Sequence, residues 1–109
     1  MNVRLYILQR ATAAIMAPLV LLHIAVIFYA NHKGLSAADI LSRTRGSVAW
    51  ALFYSVFVLA VATHASIGVR TILTEWTPLR GHRRDAAVVA FGIMLLALGL
   101  RAVAAVVLP

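Results

Sequence analysis

An all-α fold of three transmembrane helices follows from three observations. Of the 109 residues, 63% are hydrophobic, against roughly 45–50% in a soluble domain, so the apolar surface exceeds what a chain this size could bury. The apolar residues fall in three runs, each near the roughly 20 residues that cross a bilayer as a helix. The basic residues sit at the ends of those runs, where membrane proteins place them. The chain therefore reads as one membrane domain, residues 1–109, with no room for a soluble catalytic module.

The first span is expected over residues 10–30. The polar segment Met1 to Arg10 leads into an apolar run longer than a signal peptide's core, with no small-residue cleavage site before Asn31, so the span reads as retained. Pro18 lies in its middle, removes one helix hydrogen bond and is expected to bend the helix. The polar segment from Asn31 to Ser47 follows. Within it Ser36-Ala37-Ala38-Asp39 can start a short surface helix, with Ser as cap and Asp in the first turn.

The second span is expected over residues 48–73, longer than the hydrocarbon requires. Trp50 and Tyr54 near its start and Trp76 beyond its end mark an aromatic belt. Thr74 to Asp85, holding Pro78, Gly81, His82 and three arginines, reads as a tight basic loop. The third span is expected over residues 86–108, where Gly92, Gly99 and many alanines favour close helix packing.

The formal net charge of +7 fits lipid headgroups and topology, not nucleic acid, because it is distributed around the spans. Arg4, Arg10, Arg80, Arg83 and Arg84 fall on one side and Lys33, Arg43 and Arg45 on the other, which favours the N-terminus inside. There is no cysteine, which excludes disulfides and iron–sulfur ligation by this chain. No acidic residue lies in a span, which disfavours a cation or proton transporter.

His64 is the chemically informative residue. An imidazole deep in an apolar span is expensive and usually has a function. It lies roughly 24 Å along the helix from Val48 but only about 15 Å from Thr74. Gly68 follows one turn later on the same face and frees space beside the backbone for a flat ligand. Arg70 and Glu75 appear where the apolar stretch ends. A neutral imidazole here suits the axial position of haem iron, with its other ring nitrogen seeking an acceptor. A packing histidine bonded to a neighbouring backbone is the plainer alternative.

His23 lies roughly 20 Å beyond Arg10, at a different depth, so the two histidines are not expected to share one iron. It reads as a ligand to a second haem, a hydrogen-bonded packing residue, or an interfacial residue. His32 and His82 fall in loops. Arg10, with Tyr6, Gln9 and Thr12, forms a polar cluster at the mouth of the first span. Its guanidinium can hold a haem propionate or a quinone carbonyl, and Tyr6 can donate to such a carbonyl. A snorkelling Arg–Tyr anchor is the alternative. Arg101, near the end of the third span, is read as snorkelling.

The pattern Ile7-Leu8-Gln9-Arg10-Ala11-Thr12 resembles the "LHR-[ST]-G" entry of succinate dehydrogenase and fumarate reductase membrane anchors. The run from His64 through Gly68 and Arg70 to Glu75 resembles the "HxxxGxRH…D" stretch of their cytochrome b subunit. Length, three spans and the basic loop before the third are also similar. The resemblance implies that His64 is an axial haem b ligand and Arg10 a contact of quinone and haem propionate, with Gly68 and Arg70 around the haem. His23 has no counterpart in the single-haem anchors, whereas two-haem members carry a first-span histidine ligand, so both one haem and two remain open. Gln9 stands where the family has histidine, Tyr6 near its quinone serine, Thr71 for a histidine and Glu75 for an aspartate.

The resemblance further implies a flavoprotein, an iron–sulfur protein and a second anchor subunit as partners. Electrons would pass between the iron–sulfur subunit and a quinone in the bacterial cytoplasmic membrane. The competing class is a non-redox anchor that only tethers a larger membrane complex.

Overall fold

Four helices account for almost all of the computed structural model, which describes residues 2–109. They are α1 (Val3–Lys33), α2 (Ala37–Thr44), α3 (Val48–Trp76) and α4 (Gly81–Val107). There is no strand among the described residues. α1, α3 and α4 are each long and apolar enough to cross a membrane.

The helix ends follow from local chemistry. Asn2 caps α1 by accepting from the Leu5 amide at 2.8 Å. Gly34, at φ 64°, closes it in the left-handed conformation that glycine adopts without a Cβ penalty. Ser36 and Asp39 form a reciprocal capping box on α2, which realises the short surface helix expected there. Ser47 caps α3, and Thr77, followed by Pro78, ends it.

Two span starts differ from the sequence reading, and α1 and α3 each run three residues past their expected ends. α1 begins at Val3, seven residues before the expected span, and runs unbroken through Pro18. The N-terminal turns hold residues that favour helix, so the helix continues past the hydrocarbon requirement. α4 begins at Gly81, so the expected loop from Thr74 to Asp85 shrinks to residues 77–80. His82, Arg83, Arg84 and Asp85 are polar but helical, because charge sets depth in the membrane and not backbone conformation.

α3 is the central helix, packed against α1 on one side and α4 on the other. Ala60, Ala62 and Ile67 of α3 and Val88, Val103 and Val107 of α4 are buried. Glycines bring α3 and α4 close: a Cβ at Gly99 would stand 2.5 Å from Val58 Cγ1, and one at Gly92 would stand 2.6 Å from Ser66 Oγ. Leu21, Phe28, Leu52, Ile93 and Leu98 remain exposed. In a bilayer those faces are solvated by lipid or by other subunits.

α2 is tied down at its C-terminal end. Buried Thr44 donates to the Val106 carbonyl at 2.6 Å, and the Gly46 amide donates to the Val107 carbonyl at 2.8 Å. This clamps the α2 end of the bundle. The three acidic residues divide unevenly: Asp39 lies at this end, while Glu75 and Asp85 lie at the other, beside the N-terminal segment.

Candidate functional site

Antiparallel packing of α1 on α3 brings His64 against the first turns of α1. Its Nδ1 lies 3.2 Å from the Thr12 hydroxyl and 3.3 Å from the Gln9 carbonyl. Thr12 is 5% exposed. Its own proton is directed back along α1, to the carbonyls of Leu8 at 2.8 Å and Gln9 at 3.0 Å. The hydroxyl therefore offers His64 a lone pair, and the Gln9 carbonyl can only accept. Both contacts place the imidazole proton on Nδ1.

The consequence falls on the other ring nitrogen. Nε2 carries the free lone pair and has no hydrogen-bond partner among the described residues. It is not one of their buried, unpartnered side-chain nitrogens, so it is not sealed within the three-helix unit. A half-buried imidazole, oriented through one nitrogen and open at the other, is arranged as a ligand to a metal centre would be.

Gly68 lies beside this group, and Gln9 Nε2 would stand 3.7 Å from a Cβ built there. The space the glycine frees is thus shared with the Gln9 amide. The Gln9 Oε1 is buried without a hydrogen-bond partner, which leaves an acceptor waiting for a donor at the edge of the His64 group. Thr12 and Gln9 are the residues that complete this site.

The other sequence-derived candidates fall elsewhere. Arg10 is exposed and stacks its guanidinium over the Tyr6 ring at 5.8 Å. This pair stands on the exposed side of α1, apart from His64 although adjacent to Gln9 in sequence. Arg70 reaches Asp85 of α4 at 4.0 Å. Arg84 holds the same carboxylate at 3.2 Å and donates to the Thr74 hydroxyl at 3.3 Å. Asp85 thus gathers two arginines where α3 meets α4. Glu75 is exposed at that end.

His23 lies on the α2 side of the bundle, edge-on to Tyr54 at 6.0 Å and Phe57 at 5.4 Å. The contact from Thr12 to His64 and that from His23 to Phe57 are separated by 11 residues on α1 and 7 on α3, or roughly 10 to 16 Å along the axis. The two histidines do lie at different depths. His23 Nδ1 is buried without a partner, so this chain alone does not set its tautomer. It borders a cavity of about 330 Å3 with Gly99 and Val103.

Comparison with known proteins gives one match. Residues 1–100 match the family described as the succinate dehydrogenase/fumarate reductase transmembrane subunit. No curated protein and no solved structure matches the chain.

Proposed function

The chain belongs to the succinate dehydrogenase/fumarate reductase transmembrane subunit family, and from that premise we propose that it is the haem b-binding anchor of a succinate:quinone oxidoreductase. In this role it helps to pass electrons between the iron–sulfur subunit and membrane quinone. Its three apolar helices make it a multi-pass membrane protein. The observation that carries the proposal is the His64 imidazole, with Nδ1 held by Thr12 and Gln9 and Nε2 left open.

Haem b, when bound, supplies a one-electron redox centre inside the membrane. His64 would be its axial ligand from this chain. No three of His, Asp and Glu come together among the described residues, so His64 would serve as a single ligand, which suits an iron already held by a macrocycle. Thr12 and the Gln9 carbonyl keep the ring in one tautomer and raise its basicity as a ligand. Gly68 leaves room beside it. Arg10 and Tyr6 would supply polar contacts to quinone, and Arg70 to a propionate.

The flavoprotein and iron–sulfur subunits would dock at the N-terminal end, on the cytoplasmic face of a bacterial inner membrane. A second anchor subunit would help to hold the haem. His23 would serve a second haem only if a partner completes its surroundings, since its Nδ1 has no acceptor here.

The test is the absorbance spectrum of the purified, dithionite-reduced complex. A b-type alpha band is expected, and His64→Ala should lose one haem per assembly while the subunits still co-purify. Unchanged haem content in His64→Ala overturns the ligand assignment, and a wild-type complex with no band leaves a purely structural anchor. Pyridine haemochrome stoichiometry decides His23: one haem per assembly makes it a packing residue, two make it a ligand.

A further inference from the structure

At the α2 end of the bundle, the last turns of α1, the second half of α2 and the start of α3 surround a cavity of about 310 Å3. Val26, Ala30, Ile40, Trp50 and Tyr54 contribute apolar surface to it, and Arg43 reaches it from the last turn of α2. This volume is at the lower end of the roughly 300–1,000 Å3 found for small-ligand sites. Its walls are held in place. The Trp50 and Tyr54 rings stack with centroids 5.5 Å apart, and Thr44 and Gly46 clamp α2 to the end of α4.

Arg43 has no ion pair or hydrogen bond among the described residues, where both salt bridges belong to Asp85 at the opposite end. Asp39, the one carboxylate at this end, gives one oxygen to the Ser36 amide and feels the charge of Arg43 one helical turn on without forming an ion pair with it. Lys33, Arg43 and Arg45 therefore face the membrane surface with little acid to balance them. A guanidinium with no hydrogen bond or ion pair, at the edge of an apolar slot toward the α2 end, is best matched by one kind of molecule. That molecule is an amphiphile with an anionic head, whose oxygens accept from the guanidinium fork while its chain lies along the slot. A neutral quinone can accept a hydrogen bond from Arg43 but leaves its charge unbalanced, and a soluble anion lacks the chain.

We propose that this cavity binds one anionic phospholipid, its phosphate on Arg43 and an acyl chain against Trp50 and Tyr54. The site is separate from the His64 group and lies at the other end of the bundle.

The experiment is native mass spectrometry of the detergent-purified complex, stripped of lipid and then titrated with phosphatidylglycerol or phosphatidylcholine of identical chains. One phosphatidylglycerol per copy is expected, bound about fivefold more tightly than phosphatidylcholine, the factor for one basic residue at a membrane surface. Arg43→Gln should abolish that preference. Ala30→Phe, which fills the slot, should abolish retention of both lipids, and excess inorganic phosphate should fail to displace the bound lipid. The same spectra report whether each variant complex is assembled, and either variant alone tests the site. Equal affinity for the two lipids, an unchanged preference in Arg43→Gln, retention in Ala30→Phe, or displacement by phosphate each overturns the proposal.

Discussion

The hydroxyl of Thr12 lies 3.2 Å from Nδ1 of His64, joining two residues 52 positions apart in sequence. Because that hydroxyl spends its proton on carbonyls of its own helix, it serves the imidazole as an acceptor. One buried threonine thereby helps to decide which histidine nitrogen is free.

This relationship gives the first prediction. Thr12→Val keeps the volume and removes the hydroxyl acceptor, leaving only the Gln9 carbonyl. Haem occupancy, read by pyridine haemochrome, is expected to fall by about tenfold, the lower end for loss of a group that orients a metal ligand. Thr12→Ser should restore it. Equal occupancy in Thr12→Val and wild type would show that the hydroxyl has no part in holding the ligand.

Gly99 and Gly68 should respond differently to the same substitution. A Cβ at Gly99 meets three atoms of Val58 between 2.5 and 3.3 Å, whereas at Gly68 the nearest contact is an ordinary 3.7 Å. Gly99→Ala is expected to destabilise the α3–α4 contact by about 1–3 kcal/mol, as overpacking does, and Gly68→Ala by much less. Gly92→Ala should fall between them, since the Ser66 hydroxyl can rotate away. Thermal unfolding of the purified complex checks the order, and Val58→Ala should rescue Gly99→Ala.

Arg10 separates the quinone part of the reading from the haem part. Arg10→Gln should leave the alpha band unchanged, because the guanidinium lies over Tyr6 and away from His64. Quinone reductase activity is expected to fall by about tenfold or more, the equivalent of one lost charged hydrogen bond. Loss of the band in this variant would assign Arg10 to the haem instead.

Asp39 makes the α2 cap sensitive to acid. Its backbone and side-chain hydrogen bonds with Ser36, chiefly the backbone one, lower its pKa below the ordinary carboxylate value. A lowered folded-state pKa means that the cap contributes fully above the unfolded value and is lost as pH falls through the folded one. Amide exchange in α2, corrected for intrinsic rate, should show constant protection from pH 7 to about 5 and loss only below the usual carboxylate range. Asp39→Asn should remove that acid dependence.

The three spans were legible because apolar runs of membrane-crossing length have few other uses. His64 was legible because an imidazole in such a run is costly. Thr12 was not, and the reason is physical. In a membrane helix the face toward lipid and the face toward protein are both apolar, so periodicity does not reveal which side of α1 meets α3. The Gln9 carbonyl is a backbone group and leaves no mark in the sequence. Asp85 was read as a loop residue because Pro78 and Gly81 punctuate the segment before it, yet the chain resumes helix at Gly81. The separation of His23 from His64 was legible, since helical rise converts sequence spacing into depth.

The central place of α3 makes the chain modular. Thr12 and His64 meet along one seam of that helix, and Gly99 and Val58 along the other. With no side chain common to both pairs, changes in one should add independently to changes in the other. Descent with modification can therefore retune the seam that positions the imidazole while the glycine-lined seam goes on holding the scaffold together.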